Sequence, residues 1–511
     1  MKRRARQDHL ARVARVALPP VSGALIAMGF PRTGWWPLVV PGLAILLGLV
    51  ATAGARRAFL EAFVAGTVFF ALLLQWFAAP ILHFSPLGGW VAAGAVTAGA
   101  LILGAQLGVL GAVASRLAPR LGRAGAVWSM AVLFAGFELS RGWFPVPFPW
   151  GVLSASVARI GVATDLARVA GATGVSLALA SAAACLASLV LGGRNAPRVT
   201  LAWASIVLAL TTLGYLTRPS TEAGNVRRVA VVQGSLSRET IAADELREYA
   251  HLTREAVERG AQIVVWPESA TSFDVDDDSG FRELVERRAA AWNVDLVLGS
   301  VTGRTGRDVY NSAALVRADR GLVSVSHKTV LVPFGEYVPF RTVLRGMSGM
   351  AAQGRDFTAG NDVIVHEGRQ ARIGALICYE AIFPGISRQL TRRGATVLVN
   401  MTNDSWFGFS SGPQQHLAHG ILRAAETGRP LLRAANSGVS AIVDRTGRVV
   451  RELGLGQRGV LVADVAVGGG RATGCAVGPV LDVLCATLAA ALVFTAFWPR
   501  RPSRSDGGIP E

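Results

Sequence analysis

The sequence predicts an α/β domain carried by multi-pass membrane helices, and three observations point there. Only 17% of the 511 residues are charged while 51% are apolar, against about 25% charged in ordinary soluble proteins. The apolar residues gather in runs of about 20, the length needed to cross the hydrocarbon core of a bilayer. From residue 226 the pattern changes to short β-rich runs alternating with helical ones, the signature of an α/β domain.

The apolar runs lie at about 16–30, 35–54, 58–79, 88–114, 124–140, 162–192 and 199–216, and one more follows at 474–497. The first comes after a basic stretch with Lys2, Arg3, Arg4, Arg6, Arg12 and Arg15, as in a signal peptide. It contains Pro19 and Pro20, has no small-residue cleavage site and leads into further apolar runs, so a retained span is expected. The predicted organisation is seven spans within 1–220, a large polar domain at 226–470, an eighth span at 474–497 and a disordered cytoplasmic tail at 498–511. The loops with Arg56 and Arg57, with Arg116, Arg120 and Arg123, with Arg194 and Arg198, and with Arg500, Arg501 and Arg504 alternate with loops poorer in cations. The positive-inside bias then places both termini in the cytoplasm and the polar domain on the outer side of the plasma membrane. The same bias accounts for the net charge of +17; no nucleic-acid motif accompanies it, and no nucleic-acid partner is expected. The loop from Arg141 to Trp150, rich in Trp, Phe and Pro, reads either as an interfacial belt or as a surface guiding lipid toward the outer domain.

Within the polar domain, strands are expected at 226–233, 262–266, 294–299, 312–317, 321–326, 372–377 and 395–399. A helix is expected at 239–259, where Leu246, Ala250, Thr253 and Val257 share one face. Three segments carry chemistry. Val264-Val-Trp-Pro-Glu268 delivers a carboxylate at the end of a strand. His327-Lys328 opens a segment that runs to Phe334-Gly-Glu336-Tyr-Val-Pro339. Gly374-Ala-Leu-Ile-Cys378-Tyr379-Glu380 delivers a thiol at the end of another strand. In open α/β sheets, ligand groups gather beyond the carboxyl ends of strands. Of the four cysteines, Cys185, Cys475 and Cys485 lie in or beside apolar runs, which leaves Cys378 to be explained by chemistry. Lys328 is one of only two lysines, the other being Lys2. Thiols act as nucleophiles when ionised. Glu268 is a candidate base for the thiol, and Lys328 and the Tyr379 backbone N–H are candidate donors to a tetrahedral oxyanion.

These segments resemble the Glu–Lys–Cys triad of the nitrilase (carbon–nitrogen hydrolase) superfamily, as does the stretch from Gln415 to Gly438. With the span layout, Glu138, Arg141-Gly-Trp143 and Phe148-Pro-Trp150, residues of about 10–498 resemble the bacterial apolipoprotein N-acyltransferases. The resemblance implies an αββα sandwich and a ping-pong reaction. A phospholipid acylates Cys378, and the N-terminal amine of a diacylglyceryl-cysteine lipoprotein then takes the acyl group. It implies supporting roles for Glu336, Tyr379 and Glu380, a lipid-side aromatic at Trp406 and no cofactor, and the chain is expected to act as a monomer. A loop at 341–360 is expected to form a lid. Two rival functions remain: a membrane-tethered amidase, since water and amine can attack the same thioester, and a transporter or receptor with an inactive outer domain. The few charges in the spans (Glu61, Glu138, Asp165, Arg168) and the complete triad weigh against the last. His416 and His419, three apart, suit helix packing or hydrogen bonding better than metal. The run Asp274, Asp276, Asp277, Asp278 lacks the calcium-loop pattern and reads as a solvated loop. Glu426 and Arg429 read as a structural pair.

Overall fold

The computed structural model describes residues 2–84, 88–143, 146–219, 225–237, 240–306, 308–339, 356–468, 470 and 472–499. The expected tail beyond 499 and most of the expected lid, 340–355, lie outside them.

The first part is helical: α1 (Lys2–Met28), α2 (Val39–Ala51), α3 (Ala55–Leu73), α4 (Ala78–Phe84), α5 (Gly88–Ser140), α6 (Leu153–Ser156), α7 (Gly161–Val190) and α8 (Ala196–Leu216). Every apolar run expected in this part falls on these helices. Taken singly, α5, α7, α8 and the last helix, Gly474–Phe497, are long and apolar enough to cross a membrane. A fifth joins them if α3 and Gln75–Leu82, bent by 56°, form one span, and Arg15–Met28 and Trp36–Ala51 are shorter apolar helices. The difference from eight runs has a structural source in α5. It covers two of them, 88–114 and 124–140, and its backbone leaves helical geometry at Gly122 (φ 73°, ψ 174°), a conformation open to glycine. On α8, Leu201, Ile206, Leu208, Leu213 and Leu216 are exposed, as on a helix whose solvent is lipid.

The polar domain holds β1 (Asn225–Gln233), α9 (Ala242–Glu258), β2 (Ile263–Val265), α10 (Ser279–Trp292), β3 (Asp295–Thr302), β4 (Tyr310–Arg317), β5 (Gly321–His327), β6 (Val365–Glu367), β7 (Arg372–Ile377), α11 (Pro384–Arg392), β8 (Val397–Thr402), α12 (Gly412–Thr427), β9 (Leu431–Ala435), β10 (Ser440–Val443), β11 (Val449–Leu453) and β12 (Gly459–Val467); the last helix is α13 (Gly474–Phe497). One sheet has the order β12-β1-β2-β3-β4-β5, the other β11-β10-β9-β8-β7-β6. Val231, Val265 and Val297 of the first pack against Ile373, Ile377 and Val399 of the second. On the outer face of the first sheet, Trp266 and Leu298 meet Tyr249 and Leu252 of α9 and Phe281 of α10. This is the αββα sandwich that the resemblance implies. The expected face of α9 holds, with Tyr249, Leu252 and Ala256 joining Ala250 and Thr253 in burial. The acidic run is not simply solvated: Asp274 is buried and accepts from the N–H groups of Asp276 (2.9 Å) and Asp277 (3.1 Å), while Asp278 caps α10.

The outer helical layer of the second sheet does not face water. Leu417, Ile421 and Leu422 of α12 and Ile386 of α11 belong to the same apolar cluster as Phe69, Phe70, Phe137 and Trp150 of the membrane part. Polar contacts fasten this seam. Trp150 Nε1 donates to Gln415 Oε1 (2.7 Å), and Gln415 Nε2 donates to the carbonyls of Pro31 (3.0 Å) and Leu73 (3.2 Å). Trp150 is only 1% exposed. The belt reading therefore fails for this residue: its N–H finds a buried amide partner rather than the membrane–water boundary. A second feature lies in α7, which carries the apolar run 162–192 and breaks at Gly171 (φ 69°). Glu426 of α12 accepts from the N–H of Ala172 (3.2 Å), one of the donors the break releases, and pairs with Arg423 (3.3 Å) and Arg388 (3.5 Å). Arg388 also binds Asp482 of α13 (2.5 Å).

One buried group makes the sandwich acid-sensitive. His366 of β6 sits between Ser324 Oγ (2.6 Å) and Ser326 Oγ (2.9 Å) and is 1% exposed. Burial pushes its pKa from 6.5 to about 4. The unfolded chain takes this proton near 6.5 and the folded one near 4, so the stability His366 contributes is complete above 6.5 and is lost as pH falls toward 4. From about pH 7 to about pH 5 the loss is about 2 kcal/mol. Thermal melting in detergent is expected to show this drop for the native chain and a flatter profile for His366→Gln.

Candidate active site

The site forms where strand ends of both sheets meet. β2 ends at Val265; Trp266-Pro267 follow, and the next residue, Glu268, is 6% exposed. Ser269 follows with φ 46°. β5 delivers Lys328, 1% exposed, whose N–H donates to the carbonyl of Asn311 at the start of β4 (2.8 Å). β7 ends at Ile377, and Cys378 adopts φ 50° before the 3-10 turn Cys378–Ile382. Positive φ is costly for residues with a Cβ and collects at functional sites. Among the described cysteines, Cys378 alone is partly exposed.

The side chains converge. Lys328 Nζ lies 2.8 Å from Glu336 Oε1 and 3.6 Å from Glu268 Oε1. Asn311 Nδ2 reaches the same two oxygens, at 2.9 Å and 2.5 Å. An ammonium and an amide thus hold both carboxylates from two sides. Glu268 Oε2 accepts from the N–H of Asn403 (2.7 Å), just past the end of β8. Glu336 Oε2 accepts from the N–H of Val332 (2.8 Å). Burial alone would lower the pKa of Lys328, but Glu336, Glu268 and Cys378 together outweigh it, and the ammonium is held charged. For the Cys378 thiol, burial and then Glu268 push the pKa up, and Lys328 only partly opposes them. The resting sulfur is a thiol, and a thiolate forms when its proton moves to a base.

Glu380 joins the two halves. Its Oε1 accepts from Thr329 N (2.7 Å) and Thr329 Oγ1 (2.7 Å), next to Lys328, and its Oε2 accepts from Ile377 N (2.8 Å), next to Cys378. Tyr379 is the second residue of the 3-10 turn, where the turn itself has no acceptor for its N–H. Its hydroxyl donates to the carbonyl of Pro147 in the membrane part (2.7 Å). The residue after the thiol is therefore anchored to the loop 141–150. Trp406, in the turn Asp404–Phe407, is half-buried; its neighbour Phe407 packs on Trp76 at a ring distance of 4.8 Å and on Trp150 at 5.8 Å.

Behind Cys378 lies a buried network centred on Arg433 of β9, 0% exposed. It donates to Asp404 Oδ2 (2.6 Å), to Asn400 Oδ1 and to the carbonyl of Val439 (3.1 Å). The Cys378 carbonyl accepts from His416 Nε2 (3.0 Å) and Asn400 Nδ2 (3.3 Å). Burial, then Arg433, lowers the His416 pKa. The neutral ring carries its proton on Nε2, which leaves Nδ1 to accept from Arg433 Nη2 (3.1 Å). His416 thus holds the backbone of the thiol residue, a role that its spacing from His419 does not reveal. Among the described residues, no group of three or more His, Cys, Asp and Glu could hold a metal ion.

Gly299 of β3 keeps Glu268 in place. A Cβ there would meet the carbonyl of Pro267 at 2.4 Å and the Cα of Glu268 at 2.7 Å. Gly299→Ala must push Glu268 aside, and a displacement of about 1 Å costs on the order of 10²-fold in rate. A turnover assay on the folded variant is expected to show that loss.

Comparison with known proteins agrees with this architecture. The family model described as carbon-nitrogen hydrolase matches residues 228–474, and that described as apolipoprotein N-acyltransferase N-terminal domain matches residues 22–185. A protein of Geobacter metallireducens named apolipoprotein N-acyltransferase is 31% identical over 509 residues, 96% of each chain. Proteins of the same name from Rhodopseudomonas palustris (31%) and Caulobacter vibrioides (32%) each align over 88% of both chains. From its first helices to its last, this chain belongs to the apolipoprotein N-acyltransferase family.

Proposed function

We propose that the protein completes bacterial lipoproteins by N-acylation. Cys378 takes a fatty acyl chain from a phospholipid as a thioester, with release of a lysophospholipid. The N-terminal amine of a diacylglyceryl-cysteine lipoprotein then attacks the thioester and leaves with the chain as an amide. Glu268 accepts the thiol proton, passes it to the departing lysophospholipid oxygen, and later takes a proton from the amine. Lys328 and the Tyr379 N–H stabilise the oxyanion of each tetrahedral intermediate. Glu336 and Asn311 hold Lys328 and Glu268 in register. Trp406 lies at the lipid side of the pocket.

The observation that carries this reading is the position of the thiol. Cys378 lies beside Glu268 and Lys328 on one side, and its neighbour Tyr379 binds the membrane part on the other. An amidase acting on soluble amides has no use for such a seam. We further propose eight membrane crossings, with α5 crossing twice, the catalytic domain outside the plasma membrane and both termini inside. Support comes from the end of the helices away from the site. Arg15 binds Thr52, Ser115 binds Ala53, Arg116 stacks on Phe497 and Arg120 binds the Trp498 carbonyl. Gly136 lies against Ala489, eight residues before Phe497, so the second arm of α5 runs back toward the site.

Purified protein, mixed with phospholipid and a diacylated lipopeptide, is expected to yield triacylated lipopeptide, and Cys378→Ala none. Release of free fatty acid without transfer to the amine would refute the reading.

A further inference from the structure

The hydroxyl of Thr402, the last residue of β8, lies between two acceptors. Its Oγ1 is 3.2 Å from Cys378 Sγ and 2.7 Å from Asp404 Oδ1. A hydroxyl has one proton, so it serves one acceptor at a time. Asp404 is ionised: burial works to raise its pKa, but the Arg433 guanidinium, with the Thr402 hydroxyl, outweighs it and holds the carboxyl below its ordinary value. At rest a carboxylate is a far better acceptor than a neutral thiol. The hydroxyl proton therefore rests on Asp404, and a lone pair of Oγ1 faces sulfur.

We propose that Thr402 is a further catalytic residue, a neutral donor that turns onto Cys378 when sulfur becomes anionic. The inference rests on Cys378 being the nucleophile. In the step, the S–H bond breaks, the proton goes to Glu268 and the electron pair stays on sulfur. The Thr402 O–H bond stays intact and rotates from Asp404 Oδ1 to Sγ. Asp404 keeps Arg433 Nη2 at 2.6 Å and loses only a neutral donor. When the thioester forms, sulfur is no longer anionic and the hydroxyl returns. The bond to sulfur is thus strong only in the charged state, which is how an interaction lowers a barrier rather than merely deepening the resting state.

The arrangement also answers a shortage in the site. The carboxylates of Glu268 and Asp404 oppose a negative charge on sulfur, and the cation that favours it, Lys328, sits 2.8 Å from Glu336. Among the described residues, Tyr379 and Glu380 of the 3-10 turn, His416 of α12 and Arg433 of β9 are further titratable groups of this region. Of these, Arg433 is committed to Asp404 and Asn400, and His416 to the Cys378 carbonyl. A neutral hydroxyl adds stabilisation to the thiolate without a further charge that would have to be balanced in a buried place.

The test follows the thiolate without using acyl transfer. Iodoacetamide alkylation of Cys378 in the full-length protein is measured against pH by peptide-resolved mass spectrometry, in the native chain, Thr402→Val and Thr402→Ser. Valine keeps the shape and removes the donor; serine keeps the donor and removes the methyl. In Thr402→Val the midpoint is expected to rise by about one pH unit, with alkylation about tenfold slower below it, and Thr402→Ser is expected to restore the native profile. A valine profile that superimposes on the native one overturns the proposal. So does serine as slow as valine, which would assign the effect to packing of the methyl. Absence of alkylation at Cys378 in the native chain, with the protein folded, would overturn both this inference and the nucleophile reading beneath it.

Discussion

Lys328→Arg is expected to reduce acyl transfer by at least about 10²–10³-fold, the usual consequence of losing one oxyanion donor. Both residues are cations, so the expectation rests on shape. Lys328 is 1% exposed, and its ammonium fits between Glu336 Oε1 at 2.8 Å and Glu268 Oε1 at 3.6 Å. Asn311 Nδ2 closes the other side of the same pair of oxygens. A planar guanidinium is wider and directs its donors in a fixed fork, so it must displace Asn311 or one carboxylate. Single-turnover kinetics locate the defect: both thioester formation and transfer to the amine slow, because each passes through an oxyanion. Lys328→Met removes the cation beside two buried carboxylates and is expected to lower thermal stability as well as activity. Native-like turnover in Lys328→Arg would remove Lys328 from the chemistry.

Glu268→Gln is expected to block the first half-reaction. General acid–base catalysis contributes about 10²–10⁴-fold, and here the base is also needed to form a thiolate from a thiol whose pKa burial and Glu268 itself push up. The local hydrogen bonds sharpen the point. Glu268 Oε1 accepts from Asn311 Nδ2 (2.5 Å) and Oε2 from the N–H of Asn403 (2.7 Å). A glutamine places its NH₂ against one of these donors, and no flip of the amide satisfies both. The variant is expected to accumulate no thioester on mixing with phospholipid. Its iodoacetamide profile should move to lower pH, because the neutral amide no longer opposes ionisation of the thiol, while thioester formation still fails for want of a base.

What was legible in the sequence was local. Trp266-Pro267-Glu268, His327-Lys328 and Ile377-Cys378 each put a chemical group directly after a β-rich run, and strand ends are where such groups become useful. Lys328 also stood out because the chain is so rich in arginine. What was not legible depends on partners far away in the chain. Asn311 looks like an ordinary polar residue at a strand start until Glu268 and Glu336 close on it. Thr402 gains meaning only from Cys378, 24 residues earlier. β9 did not read as a strand because Arg433 interrupts its apolar pattern, and a fully buried arginine is intelligible only once Asp404, Asn400 and the Val439 carbonyl surround it. Trp150 read as an interfacial aromatic because its hydrogen-bond partner, Gln415, lies 265 residues on. The break at Gly171 has no local mark either: a glycine in an apolar run is common, and the Glu426 carboxylate that meets the released N–H comes from the other domain.

The central claim is that a thiol, a carboxylate and an ammonium meet where an acyl chain can be delivered from lipid. The most direct measurement is the intact mass of the purified protein after mixing with a phospholipid of a single acyl composition and no acceptor, followed by peptide mapping. The expected result is one acyl group on Cys378, removed by hydroxylamine and absent from Cys378→Ala and Glu268→Gln. An unmodified native protein that remains folded, or an acyl group carried on any residue other than Cys378, would contradict the account.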